Sequence, residues 1–208
     1  MHKFTITTAP RELNVIPRRG KTFRLIEVKD IVKYVKADVK ISPEYQNCSL
    51  TYGRVAGAIS KAAGPKFREE MKRLLDEQNE KTGKSIMPVG SATFIEVEKN
   101  RQKRLGAEYV SLAVCIQTER GMELFSTEKW VAESLLNTLK EADKRKLKSV
   151  ALPLMGTSLH LLPIETAVQV ITKTSVEFLE KAKSIEDIIL VALPDAFDKA
   201  KKTIFPAA

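Results

Sequence analysis

The stretch Leu152-Pro153-Leu154-Met155-Gly156-Thr157-Ser158-Leu159-His160 lies between an apolar run, Ser149 to Ala151, and a long helical pattern that starts at Pro163. A strand that passes through small residues into a helix exposes backbone N–H groups, and the helix dipole favours negative charge at the same place. The stretch therefore predicts a phosphate-accepting loop for a nucleotide-type ligand. An ordinary strand-to-helix connection, with proline in the first helical turn, explains the same residues, and both interpretations stay open.

Apolar periodicity along the rest of the chain alternates between strand and helix. Strand patterns cover residues 12–16, 23–28, 37–41, 91–97, 109–117, 149–154 and 187–193, and helical patterns cover 55–63, 65–80, 127–142, 163–182 and 195–204. The basic run Lys99 to Arg104, between two apolar strands, is predicted to be a loop. Strand–helix alternation in the second half favours parallel pairing and helices on both faces of the sheet, so the predicted class is α/β.

Length and composition limit the domain count and the compartment. The chain has 208 residues and is 43% hydrophobic, which predicts one domain over residues 1–208. Because no apolar run is long enough to span a bilayer and the first residues lack the apolar core of a secretion signal, we expect a cytoplasmic protein without membrane contact. Cys48 and Cys115 are too few for a disulfide framework or a zinc site. We expect buried free thiols, and neither metal nor cofactor.

The chain is basic, with a formal net charge of +9 and an isoelectric point of about 9.5. Such a charge attracts polyanions, which makes RNA or DNA a candidate partner. However, the runs Lys99 to Arg104 and Lys144 to Lys148 contain no aromatic residue on which bases could stack. Two interpretations stay open: solvated faces and loops, or a surface that attracts polyanions and also steers small phosphorylated ligands.

Three predicted loops follow strands of the sheet: one after Val28, one between Ile41 and Val55, and one after Leu152. In open α/β sheets, ligands bind beyond the carboxyl ends of the strands. Asp30, in the first of these loops, has a carboxylate that suits an exocyclic amine of a base. The same carboxylate also suits N-capping of the short segment from Ile31 to Val35. Both roles stay open.

The sequence resembles a known family at Val55-Ala56-Gly57-Ala58-Ile59-Ser60-Lys61-Ala62-Ala63-Gly64, preceded by Gly53. This stretch is similar to the glycine loop and first helix of macrodomains, which bind ADP-ribose and its derivatives. Four weaker segments agree in order and spacing: Lys29-Asp30-Ile31, Asn47, Gly90-Ser91-Ala92 and the loop 153–163. The resemblance covers roughly residues 22–205. It implies a three-layer α/β/α fold with a mixed, largely parallel central sheet.

The resemblance also implies a set of ligand contacts. Asp30 would contact the adenine amine, with the Ile31 backbone beside it, and Asn47 would hydrogen-bond the terminal ribose. The residues that would enclose that ribose and the adjacent phosphate are Gly53, Arg54, Val55 and Ala56. The residues whose N–H groups would bind the diphosphate are Gly156, Thr157, Ser158, Leu159 and His160. Phe197 lies near the place of the ring that the family often sets against adenine, although Leu193 suits that place equally well.

Several positions depart from the family pattern. Where the family has three or four glycines, this chain has Thr51-Tyr52-Gly53-Arg54, so the backbone has less conformational freedom there. Arg54 could either face a phosphate or block the cleft. The Asn-rich motif has become Ser42-Pro43-Glu44-Tyr45-Gln46-Asn47, and a carboxylate at Glu44 would repel a nearby diphosphate. In the phosphate loop only the first glycine remains, and Leu161 stands at the last glycine position. These changes predict an altered ligand or weaker binding of ADP-ribose.

The candidate catalytic residues are few. The family's loop aspartate corresponds here to Ala56, so Asn47 is the remaining residue that could position water or a ribose hydroxyl. His160 is a candidate acid, base or phosphate donor, or simply a surface histidine. We therefore expect a domain that binds ADP-ribose or a related nucleotide, with weak hydrolysis of ADP-ribosyl linkages. The alternative is a scaffold with a partly closed cleft that binds nucleic acid or a protein partner through its basic surface.

Overall fold

The computed structural model of the chain describes residues 11–48, 54–118 and 124–206. In this part of the chain the strands are β1 Glu12–Arg18, β2 Lys21–Glu27, β3 Val39–Tyr45, β4 Ala92–Glu96, β5 Tyr109–Thr118, β6 Leu124–Phe125, β7 Ser149–Pro153 and β8 Asp187–Ala192. The helices are α1 Ile31–Tyr34, α2 Arg54–Ala63, α3 Pro65–Thr82, α4 Lys99–Leu105, α5 Glu128–Lys144, α6 Ile164–Leu179 and α7 Pro194–Ile204, and Ser158–His160 forms one turn of 3-10 helix.

One mixed sheet forms the centre of the molecule, with the strand order β1-β2-β8-β7-β3-β5-β4 and β6 paired to β5. The five strands from β2 to β5 in this order run parallel to one another, whereas β1, β4 and β6 pair antiparallel. The predicted α/β class and its largely parallel sheet are confirmed. As a result, the carboxyl ends of five strands lie along one edge of the sheet.

Helices cover both faces of the sheet, which gives the three predicted layers. Successive strand residues point to opposite faces. On β5, Val110, Leu112 and Val114 join the apolar cluster that α2, α3 and α4 cover, whereas Ala113 and Cys115 join the cluster that α5, α6 and α7 cover. The short helix α1 packs on the first of these two faces, over β2, β7 and β8.

The junction of α2 and α3 follows its sequence signals. Gly64 ends α2 with a φ of 94°, a conformation that favours glycine, and Pro65 occupies the first turn of α3. A Cβ at Gly64 would also lie only 3.2 Å from Nε of Arg101, in α4. The predicted stop and restart at this pair is confirmed.

The basic run Lys99 to Arg104 is helical, so the prediction of a loop was wrong. Lysine, arginine and glutamine are good helix formers, but in this short helix only Leu105 is buried, so the run shows no apolar periodicity. The helix ends at Gly106, whose φ is 71° and whose N–H donates to the Gln102 carbonyl at 2.7 Å.

Both cysteines are free and buried, as predicted. Among the residues that the structure describes, no three side chains of histidine, cysteine, aspartate or glutamate gather as a metal site would require. No helix in the same part of the chain is both long and apolar enough to cross a bilayer.

Candidate ligand site

The described parts of the three predicted loops lie at the carboxyl edge of the sheet. Strands β2, β8, β7 and β3 are consecutive and parallel, so the segments that follow them lie side by side. At one end, the N–H of Val28 donates to the Ala192 carbonyl at 3.1 Å, and at the other, the N–H of Gln46 donates to the Ile116 carbonyl at 3.1 Å. This edge of the sheet is the candidate site.

The loop after β7 is held in shape by packing around Gly156. Its φ is 75°, and a Cβ would lie 2.7 Å from Oγ of Ser126 and 2.9 Å from side-chain carbons of Leu162 and Val131. Only glycine fits there. The loop is closed internally, because the N–H of Leu162 donates to the Gly156 carbonyl at 3.0 Å and Oγ1 of Thr157 donates to the Leu154 carbonyl at 3.2 Å.

Two N–H groups of this loop are available to an anion. Those of Thr157 and Ser158 make no hydrogen bond to any residue that the structure describes. The next residue, Leu159, has a left-handed backbone with a φ of 54° and a side chain that is 64% exposed. Consecutive N–H groups beside a left-handed residue are typical of anion-binding loops. The backbone of His160 belongs to the 3-10 turn, and its side chain lies outside what the structure describes.

Asp30 caps α1, which is one of the two predicted roles. Its Oδ1 accepts hydrogen bonds from the N–H groups of Val32 at 2.8 Å and Lys33 at 3.1 Å. Both bonds use the same oxygen, and Oδ2 has no hydrogen-bond partner among the described residues. The cap therefore fixes the carboxylate in position without using its second oxygen.

The start of α2 packs beside α1. Ile31 and the partly buried Val55 contact the same apolar cluster, formed by residues of β2, β7 and β8. Ala56 is buried, and Arg54, the first residue of α2, is exposed. Gly53 lies outside the described residues. The structure thus brings Ile31 and Val55 together over β2, β7 and β8.

Two further predicted residues differ in accessibility. Asn47 is exposed in the turn after β3, where the N–H of Cys48 donates to the Tyr45 carbonyl at 2.8 Å. Phe197 is 1% exposed within the core, and the Arg11 guanidinium carbon lies 4.4 Å from the centre of its ring. Leu193, at the carboxyl end of β8, is 40% exposed. The exposed apolar group at this end of the site is therefore Leu193.

Glu44 is buried and does not face the cleft, contrary to the expected repulsion of a diphosphate. It is 0% exposed, and Oγ of Ser42 donates to its Oε1 at 2.6 Å. Its Oε2 has no hydrogen-bond partner among the residues that the structure describes. Burial raises the pKa of Glu44 to about 7, although the bond from Ser42 opposes this shift.

Lys40 was not predicted as a residue of interest, yet it fixes the position of α1. It is 0% exposed, and its Nζ donates to the carbonyls of Ile31 at 2.8 Å, Val32 at 3.2 Å and Leu105. Burial lowers the pKa of Lys40 to about 8, and the nearby Asp30 opposes this shift. The sequence signal that could have indicated this role is a lysine between two apolar residues, Val39 and Ile41, in a predicted strand.

Comparison with known proteins assigns the family. The family model described as Macro domain matches residues 46–171. The chain belongs to the macrodomain family. This macrodomain is 29% identical over 184 residues to an uncharacterized protein of Pyrococcus furiosus, a match that covers 84% of this chain and 97% of that protein.

Solved macrodomain structures share the fold. The Oceanobacillus iheyensis macrodomain with ADP superposes with a TM-score of 0.72 at 20% identity, over 95% of this chain and 96% of that one. The Trypanosoma brucei macrodomain in complex with ADP-ribose superposes with a TM-score of 0.63 at 18% identity, over 86% of this chain and 68% of that one. At these identities the comparison establishes the architecture of this macrodomain.

Proposed function

We propose that this macrodomain binds ADP-ribose or a closely related nucleotide at the carboxyl edge of its sheet. The observation that carries the proposal is a pair of open groups at this edge, one after β2 and the other after β7. Asp30 offers an oxygen without a partner, and Thr157 and Ser158 offer two N–H groups without partners in the described part of the chain. The strands from β2 to β3 span about 14 Å, which suits two ring systems joined by a diphosphate.

Each predicted residue has a role in this arrangement. Oδ2 of Asp30 accepts the adenine amine, and the Ile31 backbone lies beside it. The terminal ribose binds Asn47 and the start of α2, from Gly53 through Arg54 and Val55 to Ala56. The N–H groups of the loop from Gly156 to His160 bind the diphosphate, since oriented amides stabilise phosphate oxygens.

Leu193 is the better candidate for the platform under adenine. The face of Phe197 is covered by Arg11, whereas Leu193 is exposed at the end of β8. An aliphatic platform forgoes base–aromatic stacking, which contributes about 1–3 kcal/mol per base in other proteins. We therefore expect weaker adenine binding than a site with an aromatic platform provides.

We further propose weak hydrolysis of ADP-ribosyl linkages as the finer function. Asn47 lies exposed at the ribose end, where its amide positions water but cannot serve as a base. His160 then supplies acid–base chemistry. Incubation with an ADP-ribosylated protein tests this step: release of ADP-ribose should fall in both Asn47→Ala and His160→Ala, and the absence of turnover by the unaltered protein would leave binding as the whole function.

Calorimetry with Asp30→Asn tests the binding proposal. Asparagine caps helices as well as aspartate does, so α1 is retained, but an NH₂ group replaces the oxygen that accepts the adenine amine. We expect ADP-ribose to bind the variant about tenfold or more weakly, with little change in thermal unfolding. No heat from the unaltered protein at millimolar ADP-ribose would overturn the proposal.

Inosine diphosphate ribose is the matched control ligand, because its base has a carbonyl oxygen where adenine has the amine. This ligand should bind Asp30→Asn better than it binds the unaltered protein, since the new amide NH₂ can donate to that oxygen. Equal losses for both ligands would contradict a direct contact between Asp30 and the base.

A further inference from the structure

We propose that α1 and α4 form a surface that binds single-stranded nucleic acid, apart from the candidate ligand site. This basic face consists of Lys33, Tyr34, Lys36, Lys99, Lys103 and Arg104, all of which are exposed. The inference does not depend on the proposed binding of ADP-ribose.

The α4 part of the basic face has unusually concentrated charge. Four of the seven residues of α4 are basic and none is acidic. Leu105 points into the core, so Lys99, Lys103 and Arg104 share the outward side of the helix. None of these three forms an ion pair with any residue that the structure describes. Their charges are therefore available to phosphate groups.

The α1 part is fixed against α4 by buried contacts. Nζ of Lys40 joins the carbonyls of Ile31 and Val32 to that of Leu105, at the end of α4. The N–H of Ala37 donates to the Gly106 carbonyl at 3.0 Å, and a Cβ at Gly106 would lie 2.9 Å from the Val35 carbonyl oxygen. The two charged segments, which are far apart in sequence, are thus adjacent at the C-terminal end of α4.

Tyr34 provides the aromatic group that the linear basic runs lack. Its side chain is 59% exposed, and Nζ of Lys33 lies 5.1 Å from the centre of its ring. An exposed ring beside positively charged groups is a usual means of holding an unpaired base, because stacking needs an accessible π-face. A base stacked within a duplex does not offer that face, so the ring favours single strands.

Neighbouring groups favour nucleic acid over a lipid surface. The exposed side of α4 has no apolar residue, whereas helices that bind at a membrane surface bury an apolar face. Among the acidic residues that flank the two helices, Asp30 caps α1 through Oδ1 and Glu98 pairs with Lys66 at 3.1 Å, whereas Glu96 and Glu108 are exposed. A charged surface with one exposed ring fits a phosphate chain that carries unpaired bases.

Fluorescence anisotropy with a labelled oligothymidylate of about 20 nucleotides, titrated with the full chain over a salt series, tests the proposal. We expect the triple variant Lys99→Ala, Lys103→Ala, Arg104→Ala to bind more weakly, with a salt slope smaller by about 2, since each lost contact with a single strand removes about 0.7. The matched control is Lys140→Ala, Lys201→Ala, Lys202→Ala, which removes three exposed, unpaired lysines of α5 and α7. Equal weakening in both variants would overturn the assignment to α4.

Tyr34→Ala separates stacking from charge. It should weaken binding of the single strand about tenfold and leave binding of a duplex of the same length unchanged, whereas Tyr34→Phe should retain affinity. The triple variant of α4 should leave the calorimetric affinity for ADP-ribose unchanged, which distinguishes the basic face from the ligand site. Equal binding of single strand and duplex, or binding to phosphatidylserine vesicles without binding to the oligonucleotide, would overturn the proposal.

Discussion

The two helical layers of this macrodomain rest on the same sheet but differ in charge and packing. Helices α1 to α4 carry twelve basic and five acidic residues, whereas α5 to α7 carry seven basic and eight acidic residues. One apolar cluster lies beneath α5 to α7, but two separate clusters lie beneath α1 to α4. The net positive charge of the chain is thus concentrated on the layer with the divided core.

Strand β3 shows how the division arises. Val39 and Ile41 belong to the continuous cluster, whereas Lys40, Ser42 and Glu44 alternate with them toward α1 to α4, and all three are buried. Buried polar groups need partners and contribute less stability than apolar packing. The comparison indicates that the α5–α7 layer stabilises the fold, while the opposite layer holds polar and charged groups in fixed positions.

The largest expected effect comes from the continuous core. Leu139→Ala removes a 0%-exposed side chain of α5 and should lower the free energy of unfolding by about 3 kcal/mol, because the site cannot collapse around the cavity. Urea unfolding monitored by circular dichroism measures the change. A loss below about 1 kcal/mol would contradict the stabilising role of this layer.

Lys40→Met tests whether buried polar contacts hold the other layer. The carbonyls of Ile31, Val32 and Leu105 lose their common donor, and unpaired buried carbonyls should cost about 2 kcal/mol. Hydrogen exchange should show faster exchange confined to α1 and α4. Lys21→Met is a useful comparison, because Lys21 donates to the single carbonyl of Ile185 and should cost less.

Glu44 gives the same layer a pH dependence of stability. Its pKa in the folded protein is about 7, above the ordinary 4.5, so the folded state holds a proton that the unfolded state releases. The contribution of Glu44 to stability should therefore be full below pH 4.5 and should be lost as the pH rises through about 7. In Glu44→Gln this loss, about 3 kcal/mol between about pH 4 and about pH 9, should disappear. If the free energies of unfolding of both proteins decreased in parallel as the pH rises, the assignment to Glu44 would be contradicted.

The smallest effect contrasts two arginines. Arg145, at the end of α5, lies over Phe94 and Tyr109 at 5.2 and 5.4 Å and pairs with Glu141 at 2.8 Å. Arg145→Ala should cost about 1 kcal/mol, because cation–π contacts and an ion pair are both lost. Arg104→Ala should change stability by less than about 0.5 kcal/mol. Equal decreases in melting temperature for the two variants would contradict this distinction between Arg145, which contacts two rings and Glu141, and Arg104, which forms no ion pair with a described residue.

The sequence predicted those features of the fold that depend on local patterns. Apolar periodicity located the central strands, and the Gly64–Pro65 pair located the break between α2 and α3. It failed for α4, because only Leu105 of this helix is buried and the run shows no apolar periodicity. It also missed the two-residue strand β6, which exists only through pairing with β5.

Local sequence patterns also predicted part of the candidate site. Both roles considered for Asp30 were identifiable from its position after a strand, but only the structure shows that capping uses Oδ1 alone. The neighbourhood of Tyr34 and α4 could not be predicted, because more than 60 residues separate them in the chain. Lys40 and Glu44 would have been judged exposed by residue type, since charged side chains are rarely buried.

Gly156 offers a lesson for tracing this domain through its relatives. Its Cβ position is closed by Ser126, Leu162 and Val131, so selection for a folded chain alone is enough to retain it. A relative that had lost all affinity for nucleotides would still keep this glycine. The residue at position 30 is therefore a better marker of nucleotide binding among relatives. Asparagine or serine would cap the helix equally well there, so only selection for binding the base would retain the aspartate.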